Sequence, residues 1–137
     1  MSIEANKAIV RRFQEELWKG NFAVLDEYVP EGVWLTPEGR EALKAGKLAA
    51  MRAMPDLTFT IEEMIAEGDT VVFRWTLAGT HVNDMPTPLG VAKATGKQVA
   101  HRGFSLHHLK DGKIIDDLYG SNLLDYYAQL GVLPKSS

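Results

Sequence analysis

The chain has 137 residues, a formal net charge of −3, 45% hydrophobic and 24% charged residues, and no cysteine. That length suits one domain around one core. The mild acidity and lack of a basic stripe speak against nucleic acid as a partner, the missing cysteines exclude disulfide and thiol chemistry, and no apolar run approaches the roughly 20 residues of a membrane span.

Residues 3–19 carry Ile3, Ala8, Ile9, Phe13, Leu17 and Trp18 at helical spacing, with Arg11, Arg12, Glu15 and Glu16 opposite. Charges inside this apolar pattern predict a helix rather than a signal peptide, and a cytoplasmic location is expected. Gly20-Asn21 ends the helix. A short second helix is predicted over 22–28, stopped by Pro30, then a brief strand at 32–36. The turn Thr36-Pro37-Glu38-Gly39 leads into a third helix over 39–53, with Leu43, Leu48 and Met51 inward.

After Pro55 the period becomes two, as in a half-buried strand. Strands are predicted from residue 57 and over 71–81, joined by a turn at Glu67-Gly68-Asp69. Residues 82–96, rich in Pro, Gly and Thr, read as a loop over one end of the sheet. Residues 97–122 read as a hairpin turning near Asp111-Gly112, followed by a short helix. Three helices and then a four-strand meander give an α+β order, with the helices on one face of the sheet. The domain is placed at 1–133, with 134–137 as a tail.

The last hairpin concentrates the ionisable groups. Three of the four histidines, His101, His107 and His108, lie there with Asp116, Asp117, Tyr119, Ser105 and Ser121. Two registers are open. A three-residue loop Lys110-Asp111-Gly112 sets Ser105 against Asp117 and His101 against Ser121; a two-residue Asp-Gly turn shifts the register by one. His107 and His108 point to opposite faces, as do Asp116 and Asp117, so adjacency alone makes no metal chelate and no metal is expected.

The segments NKAIVRRFQEELWKGNFAVLDEYV, GREALKA, Pro55-Asp56-Leu57-Thr58-Phe59, IAEGDTVVFRWTLAGTH, PTPLGVAKATGK, LKDGKIIDD and YYAQLGVLP follow one another over nearly the whole chain. In this order they resemble the SnoaL-like polyketide cyclases of the nuclear-transport-factor-2-like superfamily. The resemblance implies a cone-shaped α+β barrel, in which a curved antiparallel sheet is wrapped by N-terminal helices around an apolar pocket. It also implies a homodimer through the outer sheet face, where Arg102, Phe104, Leu106 and Leu118 alternate with the pocket side. The three-residue loop is preferred because it agrees with the family's pocket positions.

The family's catalytic groups do not carry over. The last-strand Asp of the cyclases and limonene-type epoxide hydrolases aligns with Tyr119, and a cyclase His with Ser105. The general-base Asp of ketosteroid isomerases aligns with Thr36, and their two oxyanion donors with Phe13 and Ser105. A frequent His-Asp-Pro is Leu35-Thr36-Pro37 here.

What remains is Asp117, whose pKa an apolar cavity would raise; His101 as a proton partner; and Tyr119 as a donor to a developing oxyanion. These three are the candidate catalytic residues. Ser105, Ser121, Trp34, Phe13, Trp18, Met51, Met54, Phe59 and Trp75 are the candidate ligand contacts, with core packing as the competing role of the aromatic residues and methionines. His81 reads as a structural residue at the loop end, and Arg40 and Arg102 as solvated or interface charges. Two functions stay open. One is a cofactor-independent cyclase, isomerase or hydratase acting on a small oxygenated apolar substrate. The other is a non-catalytic protein that binds such a ligand.

Overall fold

The computed structural model describes residues 2–133; the tail placed at 134–137 lies outside the described residues. Helices α1 (Ile3–Leu17), α2 (Ala23–Tyr28) and α3 (Pro37–Ala53) come first. Strands β1 (Thr58–Glu67), β2 (Thr70–Thr80), β3 (Met85–Thr87), β4 (Gly90–Ala92), β5 (Gln98–Lys110), β6 (Lys113–Ile114) and β7 (Leu118–Ser121) follow, and then α4 (Leu123–Leu130).

The expected α+β architecture is present. β1, β2 and β5 form an antiparallel meander, and β6 and β7 both pair with β5. A bulge between Ile61 and Glu63 interrupts the β1–β2 register, and such an extra residue bends and twists a strand.

Helices α1 and α3 start at side-chain caps. Ser2 caps α1 by accepting from the Ala5 N–H at 3.1 Å, and Thr36 caps α3 by accepting from the Gly39 N–H at 2.9 Å. Pro37 occupies the first turn of α3, where its missing N–H costs nothing.

α1 buries Val10, Phe13 and Leu17 at helical spacing against β2 residues Val71, Phe73 and Trp75. Enclosing each such side chain contributes about 1.5–3 kcal/mol. A second cluster gathers Ala53 and Met54 from the end of α3, Met85 and Ala92 from β3 and β4, and Tyr126 and Leu130 from α4.

Three local expectations need correction. Residues 32–36 form turns and bends, not a strand; Trp34 there is held by donating Nε1–H to the Ile114 carbonyl at 3.0 Å, not by strand pairing. The predicted loop over 82–96 contains a small hairpin, with Met85 opposite Ala92. The last hairpin takes the two-residue turn: Lys110 faces Lys113, and both Asp111 (φ 51°) and Gly112 (φ 77°) are left-handed. Two positive φ angles make the turn type whose twist matches the flanking strands.

That turn alone would not place Tyr119 opposite Ser105. Leu109 pairs with Ile114, whereas Leu106 pairs with Leu118 and Ser105 with Tyr119. The ladder slips by one residue across 115–117, which belong to no strand. Ser121 therefore faces Gly103, not His101 as the three-residue loop required. Gly103 is needed there, because a Cβ would lie 2.6 Å from both the Gly120 carbonyl oxygen and Trp75 Cζ2.

Candidate active site

The sheet and helices enclose a cavity of about 450 Å³. α1 lines it with Phe13, Gln14, Leu17 and Trp18. α3 contributes Ala42, Leu43, Gly46, Lys47 and Ala50, and the β3–β4 hairpin contributes Met85 to Pro88. From the sheet come Phe59, Trp75, Leu77, His101 and Ser105, then Asp117 and Tyr119 beyond the slip, with Leu123, Tyr126 and Tyr127 at the α4 end.

An aromatic arc runs through this wall. Trp18 stacks on Phe59 at 5.9 Å between centroids, Phe59 meets Trp75 at 6.3 Å, and Trp75 meets the edge of His101 at 5.0 Å. His101 lies flat on Tyr126. The result is an apolar, shape-restricted surface with a few polar atoms, the usual make-up of a small-molecule site.

The polar atoms divide into two kinds. Some are already engaged: Trp75 Nε1–H donates to Ser105 Oγ at 2.9 Å, and His101 Nε2 shares a 2.7 Å hydrogen bond with Ser121 Oγ. Burial holds the His101 pKa down at about 4, so the ring is neutral at physiological pH. Burial likewise pushes the Tyr126 hydroxyl up to about 12, so it stays a phenol.

The others face the cavity without a tight partner. Asp117 has its pKa raised, first by burial, with a smaller contribution from the charge of Asp116; His107 and Lys47 pull the other way. Burial pushes Lys47 down to about 8, and its ammonium sits 3.8 Å from the Trp18 ring centroid. The Tyr119 side of β7 is open, and the residue is 69% exposed at the rim.

Below the cavity, fully buried His107 fixes the floor. Its Nδ1 lies 2.7 Å from the Asp116 carbonyl oxygen, which can only accept, so Nδ1 carries the hydrogen. In the neutral ring Nε2 then accepts from the Gln14 amide at 2.9 Å. The neighbouring pair points outward: His108 binds Asp116 through both its backbone N–H, at 2.7 Å, and Nδ1, at 2.6 Å. Burial raises the Asp116 pKa, but these bonds outweigh it and the net shift is downward. Among the described residues no three His, Cys, Asp or Glu side chains converge as a metal site would need.

The matching family model, SnoaL-like polyketide cyclase, covers residues 8–130. The chain belongs to this family. No curated protein matches it. Among solved structures it is similar to the proposed polyketide cyclase of Acidithiobacillus ferrooxidans, at 27% identity and TM-score 0.73, over 96% of this chain and 98% of that one. It is also similar to the proposed SnoaL-like polyketide cyclase of Jannaschia sp. CCS1, at 24% identity and TM-score 0.75, over 98% and 97%. A third is TsrD of Streptomyces laurentii, at 23% identity and TM-score 0.77, over 97% and 99%.

The positions that the resemblance was expected to align with catalytic groups of cyclases and ketosteroid isomerases have local uses here. Thr36, in place of a carboxylate, caps α3. Ser105, in place of a histidine or aspartate, anchors Trp75. Phe13 packs edge-on against both Tyr28 and His107. Of the residues singled out from sequence, Asp117, Tyr119, His101, Ser105, Trp34, Phe13, Trp18, Phe59 and Trp75 meet at the cavity. Ser121 is off the wall and reaches it only through His101. Met54 is sealed in the second core cluster, and Met51 is not on the wall.

Large apolar residues suggested that Leu48 and Met51 face inward, yet Leu48 is 39% exposed. The inner face of α3 is instead Leu43, Gly46, Lys47 and Ala50, where small residues leave room for a cavity. Lys47 and Gln14 were not singled out from sequence, although Lys47 lies four residues from both Leu43 and Met51, on the stripe expected to face inward. Arg40 is also not solvated: its side chain is 13% exposed, and it donates to the Val29 carbonyl at 2.8 Å and lies 3.5 Å from Asp26. His81 is buried, accepts the Thr95 N–H on Nδ1 at 3.3 Å, and holds the end of β2 to the mouth loop.

Proposed function

We propose that this protein is a cofactor-independent enzyme of the cyclase or isomerase kind, acting on a small, largely apolar, oxygenated polyketide-like substrate by moving protons. The reading rests on one observation above the others: a carboxyl group with a raised pKa, Asp117, faces an aromatic-walled cavity. A buried carboxyl poised nearer neutrality can take a proton from carbon next to a carbonyl and return it elsewhere. Tyr119 on the same wall would donate to the oxygen on which charge develops. His101, neutral and oriented by Ser121 and Tyr126, would pass a hydrogen bond toward the substrate.

The test is turnover of an oxygenated polyketide-like substrate by the protein and by Asp117→Asn. A loss of roughly 100-fold or more at unchanged folding is expected, the usual scale of general acid–base catalysis. Turnover that survives in the variant removes Asp117 from the mechanism.

The binding-protein reading has its own support. Ser105 and His101 already have partners inside the protein, and the positions that the resemblance aligns with catalytic groups of cyclases and ketosteroid isomerases hold Tyr119, Ser105 and Thr36. Under that reading ligands bind and no variant changes any turnover.

For assembly we propose a homodimer through the outer sheet face. Ile65, Val72, Leu106 and Leu118 form one cross-strand row there. Ile65 is 64%, Leu118 60% and nearby Phe104 57% exposed. A contiguous apolar stripe of this kind is costly in water unless covered. Light scattering at micromolar concentration should give twice the chain mass. No described helix is long and apolar enough to cross a membrane, and a cytoplasmic location remains part of this proposal.

A further inference from the structure

Among the described residues, Lys47 on the cavity wall carries a charge that no ion pair or hydrogen bond answers. It sits on the inner face of α3, one position after Gly46, with Ala50 and Leu43 beside it. Its ammonium makes no ion pair and no hydrogen bond with the described residues; what it meets is the face of Trp18 at 3.8 Å. An aromatic face attracts a cation but accepts none of its three N–H bonds. A partly buried ammonium without an acceptor is costly, and desolvation lowers its pKa to about 8. Asp117 is close enough for each group to feel the other's charge, yet they do not pair. A gap between a cationic donor and a carboxyl group, both on the wall of one cavity, is a place for an oxygen atom.

We propose that Lys47 is the anchor for an acidic oxygen of the ligand, so that the cavity selects apolar compounds bearing a carboxylate, phenolate or enolate over their neutral isosteres. The ionised oxygen accepts from Lys47 Nζ, and the apolar body lies along Trp18, Phe59 and Trp75. The carboxyl of Asp117 stands across from that oxygen and, when protonated, donates to it as well. This deepens the reading of the cavity as the functional site but needs no turnover, so it can fail while the acid–base proposal stands, and the reverse. A charge-assisted hydrogen bond in a water-poor site is roughly twice as strong as a neutral one, and its effect on selection is directly measurable.

The experiment uses 2-naphthoate and 2-naphthamide, which share ring and shape and differ in charge. Binding is followed by tryptophan fluorescence at pH 7. The wild-type protein should bind naphthoate at least 10-fold more tightly than naphthamide. Lys47→Met should abolish that preference and leave naphthamide affinity within about twofold, while its melting temperature stays equal or rises, since a buried charge is gone. Lys47→Arg should keep the preference. Equal binding of the two probes by the wild type overturns the proposal, as does a preference that survives in Lys47→Met. Binding of neither probe overturns it too. The wild-type comparison stands alone if Lys47→Met does not fold.

Discussion

The imidazole of His101 lies flat on the phenol ring of Tyr126, with centroids 4.3 Å apart and planes 2° from parallel. Neither ring has room for a hydration shell on that face. The contact joins β5 to α4 and explains why the histidine is held neutral. A histidine whose folded pKa is about 4, against an ordinary 6.5, gives stability that is present above pH 6.5 and lost as pH falls through about 4. Chemical denaturation at pH 7.5 and pH 4.5 should therefore show a larger drop for the wild type than for His101→Phe, which keeps an aromatic ring. The difference should be on the order of 2 kcal/mol. Equal drops would mean the folded protein accommodates the imidazolium.

Asp117 has the opposite sign. Its folded pKa is raised, so the neutral carboxyl is the form the fold favours. Stability from that form is present at acid pH and lost as pH rises from the ordinary carboxyl value through the folded one. Asp117→Asn carries no such charge. The melting temperature of the variant relative to wild type should climb as pH rises from the ordinary carboxyl value, about 4, and level off once the folded group has ionised. A variant that is less stable at pH 7 would instead mark Asp117 as a structural hydrogen-bond acceptor.

Tyr119→Phe removes only a hydroxyl from a side chain that is 69% exposed. Stability should change by no more than about 0.5 kcal/mol. If the phenol donates to a developing oxyanion, turnover should fall by about 100-fold, the scale seen for losing one such donor. Intact turnover would assign Tyr119 to the rim alone.

Gly103→Ala tests the close approach at the centre of the sheet. The new Cβ would lie 2.6 Å from a backbone oxygen, that of Gly120, and 2.9 Å from Ser121 Cβ. Backbone cannot swing aside as a long side chain can. A destabilisation of about 1–3 kcal/mol is expected, the cost of overpacking, with the melting curve as readout. An unchanged melting temperature would show that β7 is free to move away from β5.

Much of this was legible in the residues. Alternation along β5 placed His101, Ser105 and His107 on one face, because the pleat permits nothing else. The helices followed from apolar spacing, from Gly20-Asn21 and from the turn Thr36-Pro37-Glu38-Gly39. The errors share a cause: they depend on what lies opposite. The 115–117 slip has no signature in the sequence, since Ile115-Asp116-Asp117 holds no glycine or proline to mark an irregularity. On α3 the inward face is set by the smallness of Gly46 and Ala50, which a search for large apolar residues passes over. Lys47 drew no notice because its enclosure comes from Trp18, a residue far from it in sequence at the end of α1.

The two core clusters meet through few side chains: among the described residues, Trp18 and Leu57 pack against both. The cavity is lined from both, by Phe13, Leu17, Trp75 and Leu77 of the first and by Ala50, Met85 and Tyr126 of the second. A guest molecule there would do the work of side chains that the polypeptide does not supply, making one continuous interior out of two. Occupancy should then be felt as cooperativity. The empty protein would loosen first around α4 and the β3–β4 hairpin, and the filled one would melt as a single unit.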